Sequence, residues 1–255
     1  MADVLIDARI FGGGVNFSGQ SNKVELAFDL DEADTTVFEP ANPADRGWKE
    51  RTGTVLDAKA SIGGFWNAGD PGKVDNALWA GLGLVDVWSF IKGTGAVGDV
   101  AYTLRSLQSK YQLIGGDHGK VAPFEASLAG SGFAFRGQVA HPHTTPRAAA
   151  GNGATVQLLD NGGGVPAGQY LYAALHLQSV AGTSTPTLTA VVESDDNAGF
   201  TTPVTRLTFA PATARGGQLL RVAGPITDTF YRVKWTVSGG TPSFLFAATI
   251  GVAPA

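Results

Sequence analysis

Residues 21–36 read SNKVELAFDLDEADTT, with Val24, Leu26, Phe28 and Leu30 on one side and Lys23, Glu25, Ala27 and Asp29 on the other. A period of two is that of a half-buried strand. It predicts a strand over Val24–Leu30, with an apolar face for a core and a polar face turned elsewhere. The strand runs into Asp31, Glu32 and Asp34. Three carboxylates so close raise a metal site or a catalytic acid against a plain solvated turn. Their spacing lacks the Asp-x-Asp-x-Asp-Gly loop and the distant glutamate of an EF-hand, which argues against calcium.

Working outward, the same alternation predicts strands at Thr54–Ile62, Val85–Ile91, Ala101–Leu107, Val121–Ala129 and Phe133–Val139. One helix interrupts them in GDPGKVDNALWAGLG (residues 69–83). Asp70 suits an N-cap and Pro71 the first helical position, Val74, Ala77, Leu78, Gly81 and Leu82 follow at helical spacing, and Gly83 ends the run. Beyond residue 155 strands recur about every ten residues: Tyr170–Ser179, Thr187–Glu193, Thr205–Phe209, Leu219–Val222, Phe230–Val237 and Phe244–Val252, with turn signals between them. The fold class is mainly β: a β-sandwich with one short flanking helix, followed by a second all-β sandwich.

HPHTTPRAAAGNG (residues 141–153) has two prolines, small residues and no period, as a linker does. The expected division is residues 1–145, a linker over 146–154, and residues 155–255. Charge divides at the same place. Residues 1–150 carry 17 acidic and 13 basic side chains, and residues 151–255 carry 5 of each. A net charge of −4 argues against a protein that grips nucleic acid. The absence of cysteine excludes disulfides and thiolate metal sites. The N-terminus, broken by Asp3, Asp7 and Arg9, has no signal-peptide core, and no apolar run reaches the length of a membrane span. A soluble protein is expected, with no membrane insertion by this chain.

Other segments are poor candidates for chemistry. FGGGVNFSG (residues 11–19) lacks the Gly-Lys-Ser/Thr ending of a phosphate loop and reads as a flexible arm. His141 and His143 lie in the apparent linker and read as solvated, not as metal ligands. His176, on the strand face with Tyr172 and Gln178, reads as structural. Asp195 and Asp196 in SDDNAG read as turn formers. No Gly-x-Ser-x-Gly elbow is present. The expectation is no catalytic residue, no metal and no cofactor.

Several segments, in this order, resemble major tail (tail tube) proteins of long-tailed, siphovirus-type bacteriophages, those infecting actinobacteria and related hosts most of all. They are SGQSNKVELAFDLDEADTTVFE, WKERTGTVLDAKASIGGFW, DNALWAGLG and GKVAPFEASLAGSG, which together span nearly all of residues 1–140. The remainder, with YAALHLQSVAGTS, ESDDNAGF and GPITDTFYRVKWTVSGGTPSFLFAATIG, is similar to a domain often attached to such virion proteins.

The resemblance implies a structural virion protein, made and assembled in the host bacterial cytoplasm. It implies rings, commonly hexameric, whose inner strands join into one β-barrel and whose stacking makes the conduit for genome ejection. Trimers of a duplicated tube unit are the alternative. The implied partners are further copies of the chain, a tape-measure protein and tail tip or terminator proteins, with DNA passing through the lumen unbound. Placed in that frame, the polar strand face supplies lumen-facing candidates Lys23, Glu25 and Asp29. The same alternation adds Asp57, Lys59, Glu125 and Arg136, four acids against three bases in all. The ring-contact candidates are Asp31, Glu32 and Asp34, Phe11 or Phe17 in the glycine-rich arm, and Trp48 in the loop 39–51. Trp48 reads equally as a lid within the subunit. Two other functions compete: a lectin-like virion module without a tube, which calls for exposed aromatics over a concave sheet, and a glycan hydrolase, which calls for carboxylates converging in a cleft.

Overall fold

The structure, a computed structural model, describes residues 5–38, 42, 44, 48–70, 72–113, 115–159 and 162–254, apart from the side chains of 54 and 55. In chain order the elements are β1 (Ala8–Gly12), β2 (Val15–Asn16), β3 (Ser21–Asp34), β4 (Arg51–Phe65), α1 (Val74–Gly81), β5 (Val85–Lys92), β6 (Val100–Gln112), β7 (Pro123–His141), β8 (Gly151–Asn152), β9 (Gln169–Asp195), β10 (Val204–Thr208), β11 (Gly216–Ala223) and β12 (Phe230–Pro254). The chain is mainly β, as its alternation predicts, with a single helix among the described residues.

Every ladder is antiparallel, and β7 is the hub. Its first part pairs with β4, from Phe65↔Pro123 to Lys59↔Ala129. Its last part pairs with β12, Gly137↔Gly251 to His141↔Ala248. Along its other edge lies β6, followed outward by β5, β1 and β2. Among the described residues β3 pairs with β4 alone.

The second half is built on β9 and β12, paired from Gln169↔Pro254 to Phe230↔Asp195. Left-handed residues bend both strands midway, at Gly182, Ser184 and Thr185 in β9 and at Gly239 and Thr241 in β12. The bends let residues on either side of them, Leu175 and Val192 or Trp235 and Phe246, share one core. The alternation predicts these as separate strands, but each pair is one long bent strand. The two runs at 121–129 and 133–139 likewise merge into β7.

Most of the buried apolar side chains fall into two large clusters. One gathers Ile62, Val74, Leu78, Trp88, Leu104 and Leu128 from the first half. The other gathers Leu175, Val192, Tyr231, Trp235, Phe244 and Phe246 from the second. A small seam of Phe11, Ile91, Ala101, Val139 and Ala247 lies between them.

Three local expectations need correction. The helix starts later than predicted, with Lys73 at its N-cap and no side-chain cap. Asp70 instead serves a turn, its Oδ1 accepting from Gly72 N at 2.6 Å; Pro71 lies outside the described residues. The glycine-rich arm is not loose. β1 pairs with β5 and turns back into β2, and the ring of Trp88 fills the space a Cβ on Gly12 would need. Glycines that hide a strand from propensity here admit an aromatic ring. The stretch 141–153 is pinned to β12 and does not hang free. Arg147 N donates to Phe244 O at 2.7 Å, Gly151 and Asn152 pair with Trp235 and Lys234, and Gly153 N donates to Val233 O at 2.7 Å. Its small residues erase periodicity but leave backbone groups free to bond an edge.

Candidate assembly surface

Side chains opposite one another in an antiparallel ladder project to the same face. Glu25↔Ser61, Ala27↔Lys59 and Asp29↔Asp57 set the face of β3 and β4. Gly63↔Glu125 and Ser61↔Ser127 carry it onto β7, and Lys110↔Ser127 carries it onto β6. Lys23, Glu25, Asp29, Asp57, Lys59 and Glu125 therefore share one face of a four-stranded sheet. Arg136 does not: it opposes Tyr102, in a part of β7 where the neighbouring pair Leu104↔Ala134 faces the core. Lys110 takes its place.

The charges of this face are paired within it. Lys23 meets Glu25 at 3.2 Å, and Lys110 meets Glu125 at 3.6 Å. Asp29 and Asp57 stand directly opposite each other, which is unfavourable for like charges. Lys59 joins them, at 3.5 Å from Asp29 and 3.0 Å from Asp57. Asp57, then Asp29, hold the Lys59 ammonium above its ordinary pKa. Lys23 and the Ser61 hydroxyl, donating at 3.1 Å, hold Glu25 below its own.

Beyond Lys59↔Ala129, β4 leaves β7, and β3 and β4 continue as a two-stranded ribbon as far as Asp34↔Arg51. Val24 and Leu26 pack on the first core as expected. Phe28 and Leu30 do not fill it; they are 39% and 56% exposed, where β4 has parted from β7. On the same ribbon Glu32 pairs with Arg51, and Lys49 lies 3.9 Å from Asp34. Thr36, through its hydroxyl and then its backbone N, which donates at 3.0 Å, holds the Asp34 carboxyl below the usual range. The acidic run is thus largely a set of cross-strand ion pairs. Among the described residues no three His, Cys, Asp or Glu side chains group to hold a metal ion, and no helix is long and apolar enough to cross a membrane.

The aromatic candidates part ways. Phe11 is fully buried against His143 and His176, and Phe17 stacks on Trp88 at 5.3 Å. Both anchor the arm to its own sheet and offer nothing to a neighbour. Trp48 is 75% exposed, which removes the reading of it as a lid within the subunit. Of its loop, residues 39–41, 43 and 45–47 lie outside the described residues. Sequence reasoning missed Leu30, Val37, Phe38 and Leu56, all exposed on the ribbon or its tip. The alternation that assigns Leu30 to a core does not reveal that the opposing sheet has ended.

The seam between the halves is polar and buried. His176 Nδ1 lies 2.9 Å from Gly13 O, and its Nε2 lies 2.8 Å from Ser89 Oγ; Thr103 and Thr249 extend the chain at 2.8 and 3.0 Å. His141 is also buried, not solvated. It stacks on Phe246 at 4.1 Å and accepts from Arg147 Nε at 3.2 Å. Burial holds both imidazoles down to a pKa of about 4, with Arg147 adding to the effect on His141. Arg221 ties the halves from outside, lying 3.8 Å over Phe133 and 4.5 Å over Tyr170 and donating to Tyr172 Oη at 3.2 Å.

In the second half, burial alone would raise Glu193, but Lys234 and Arg232, donating at 2.8–3.0 Å, hold it below its ordinary value. Asp195 accepts from Asn197 N and Thr202 N, the turn that SDDNAG predicts.

No family model matches the sequence, and no curated protein does. Among solved structures, the chain is similar to one from "Virion of native gene transfer agent (GTA) particle", at 19% identity and TM-score 0.40 over 52% of this chain and 97% of the other. A chain of "Tail of empty GTA particle computed with helical refinement, C6 symmetry" is 19% identical, with TM-score 0.36 over 45% and 80%. The SPP1 Dit (gp 19.1) protein, described as a paradigm of hub adsorption apparatus in phages infecting Gram-positive hosts, is 9% identical, with TM-score 0.34 over 97% and 99%. At identities and scores this low, the likenesses establish neither the fold nor the function of this chain.

Proposed function

We propose that this chain is a structural subunit of a bacteriophage-type tail, polymerising as rings that stack into the tail tube. The observation that carries the reading is β3. It is a fourteen-residue strand with one ladder partner among the described residues, at the edge of a sheet with an apolar core behind and a polar, charge-paired face in front. A long bare edge is an aggregation hazard on a monomer, and closure of a sheet around a ring removes it. The polar face then lines the lumen. It holds four acids against three bases, each base engaged with a neighbour on the same face. Such a wall has no basic stripe with which to hold passing phosphate. The second half decorates the outside, and the resemblance in sequence favours six subunits per ring.

Among the described residues of 155–255 no Trp, Tyr or Phe is exposed, so the lectin-like reading would rest on the exposed aromatics of the first half, Phe65, Trp66 and Trp79 among them. Electron microscopy of the concentrated protein, with averaging to count subunits, tests the proposal. Closed rings or hollow tubes are expected; a strictly monomeric particle, even with tape-measure and tip proteins supplied, overturns it.

A further inference from the structure

Two exposed apolar patches flank α1. Past its C-terminal end Leu82, Leu84 and Val85 are exposed and lead directly into Asp86. A crevice of about 170 Å³ opens there, its lining including Val15, Ala77, Leu84, Val85, Asp86 and Trp88. By the first turn of the helix Phe65, Trp66 and Val121 are exposed. They are neighbours: Phe65 pairs with Pro123, Trp66 N donates to Ala122 O at 2.9 Å, and Trp66 Nε1 donates to Asp75 Oδ1 at 3.2 Å. Lys120 precedes Val121 and is exposed like it.

Each patch carries a charge that its own molecule leaves unanswered. Among the described residues the Asp86 side chain has no ion pair and accepts only from Val87 N, at 2.7 Å. Gly13 and Gly217 crowd it so closely that a Cβ on either would meet its oxygens. The neighbouring Arg215 directs its guanidinium to Gly72 instead. Burial therefore pushes the Asp86 carboxyl above its ordinary pKa, opposed by Val87 N alone. The Lys120 side chain has no partner among the described residues either.

The two charges do not meet within one molecule. Trp66 is fastened to Asp75 at one end of α1, and Leu84 follows the other end. The helix, at about 1.5 Å per residue, holds the patches about 12 Å apart. A recessed carboxylate and an ammonium among apolar side chains both gain from pairing where water is excluded. A lysine suits such a crevice, because its methylenes pack on apolar walls while the ammonium reaches the carboxylate.

We infer that Lys120 of one copy enters the crevice of the next and pairs with Asp86, with Phe65, Trp66 and Val121 closing over Leu82, Leu84 and Val85. This deepens the assembly reading and rests on it, naming a charged pair on which association depends. The giving patch lies by β4 and β7 and the receiving patch by β5, so the contact is head-to-tail and propagates from copy to copy.

A carbodiimide joins a carboxylate to an amine that it touches, with loss of water. Applied to assembled chains, an equal mixture of unlabelled and heavy-nitrogen-labelled protein, it is expected to link Asp86 to Lys120, with mixed-label products as abundant as both like-label products together. Asp86→Lys and Lys120→Asp are each expected to raise the concentration needed for association at least about tenfold. The chain carrying both is expected to recover association, since the pair is reversed and not removed. Circular dichroism checks first that each variant folds; the cross-link, made on the unsubstituted chain, decides if one does not. Assembled chains without the cross-link, or with it confined to like labels, overturn the docking but leave the assembly reading standing. So does a single variant that associates as the parent does, or a double variant no better than the single ones. Failure of the unsubstituted chain to associate at all removes both.

Discussion

Gly13 O can only accept a hydrogen bond, and that constraint propagates along the buried seam. Nδ1 of His176 must carry the proton, so Nε2 accepts from Ser89, Ser89 from Thr103, and Thr103 from Thr249. A second proton on His176 would leave Ser89 facing a donor. Both buried imidazoles therefore stay neutral in the folded chain, down to a pKa of about 4, while in the unfolded chain they titrate near 6.5. The unfolded state binds more protons across that window, so these groups confer stability above about pH 6.5 that drains away as pH falls towards 4. The loss reaches about 3 kcal/mol for each histidine. Urea midpoints of the parent chain should fall across this range, and His176→Asn, which keeps a donor for Gly13 O, should flatten the slope by about half. Equal slopes in the two proteins would contradict the assignment. Sequence alone marks His176 as structural from its place in a strand. It cannot supply Gly13, which is 163 residues away, and the prolines around His141 make a buried residue look solvated.

At the scale of elements, the ribbon is a separable device. β4 holds β7 only through Lys59–Phe65, and the first core lies on that side of the split. Replacing residues 31–55 with an Asn-Gly turn joins Leu30 to Leu56, which already face each other in the ladder. The shortened chain should stay folded, with a melting temperature within a few degrees of the parent, yet remain monomeric by light scattering. Loss of the folded state instead would show the ribbon to be part of the core. The strand itself is legible in Val24–Leu30 because period-two alternation is a local property. Where a ladder ends is not local. Leu30 and Leu26 look alike in sequence, and only the departure of β4 from β7 exposes one and covers the other. The same limit explains why Phe38 goes unnoticed beside Trp48 and why Phe11 and Phe17 pass for free anchors.

For the whole molecule, the charge of the face shared by β3, β4, β7 and β6 is what the proposed lumen would present to DNA. Glu25, Asp29, Asp57 and Glu125 against Lys23, Lys59 and Lys110 give it a net of −1. Changing Glu25, Asp29 and Asp57 to lysine takes it to +5. Assembled tubes of that variant should retain DNA on sedimentation at about 50 mM salt and release it towards about 200 mM, while the parent retains none. Retention by both, or by neither, would place this face away from any lumen. The mainly β class is legible from patterning. The way the halves join is not, because it depends on β7 meeting two partners far apart in sequence. That junction has a mechanical side. β7 runs from Pro123 to His141, clasped by β4 early and by β12 late. A pull on the second half is carried lengthwise along this strand, where several hydrogen bonds must shear together before any can yield. Between the two clasps sits left-handed Gly132, where the ladder with β6 jumps register, so a twist on the second half is taken up there before it reaches the sheet of β3 and β4.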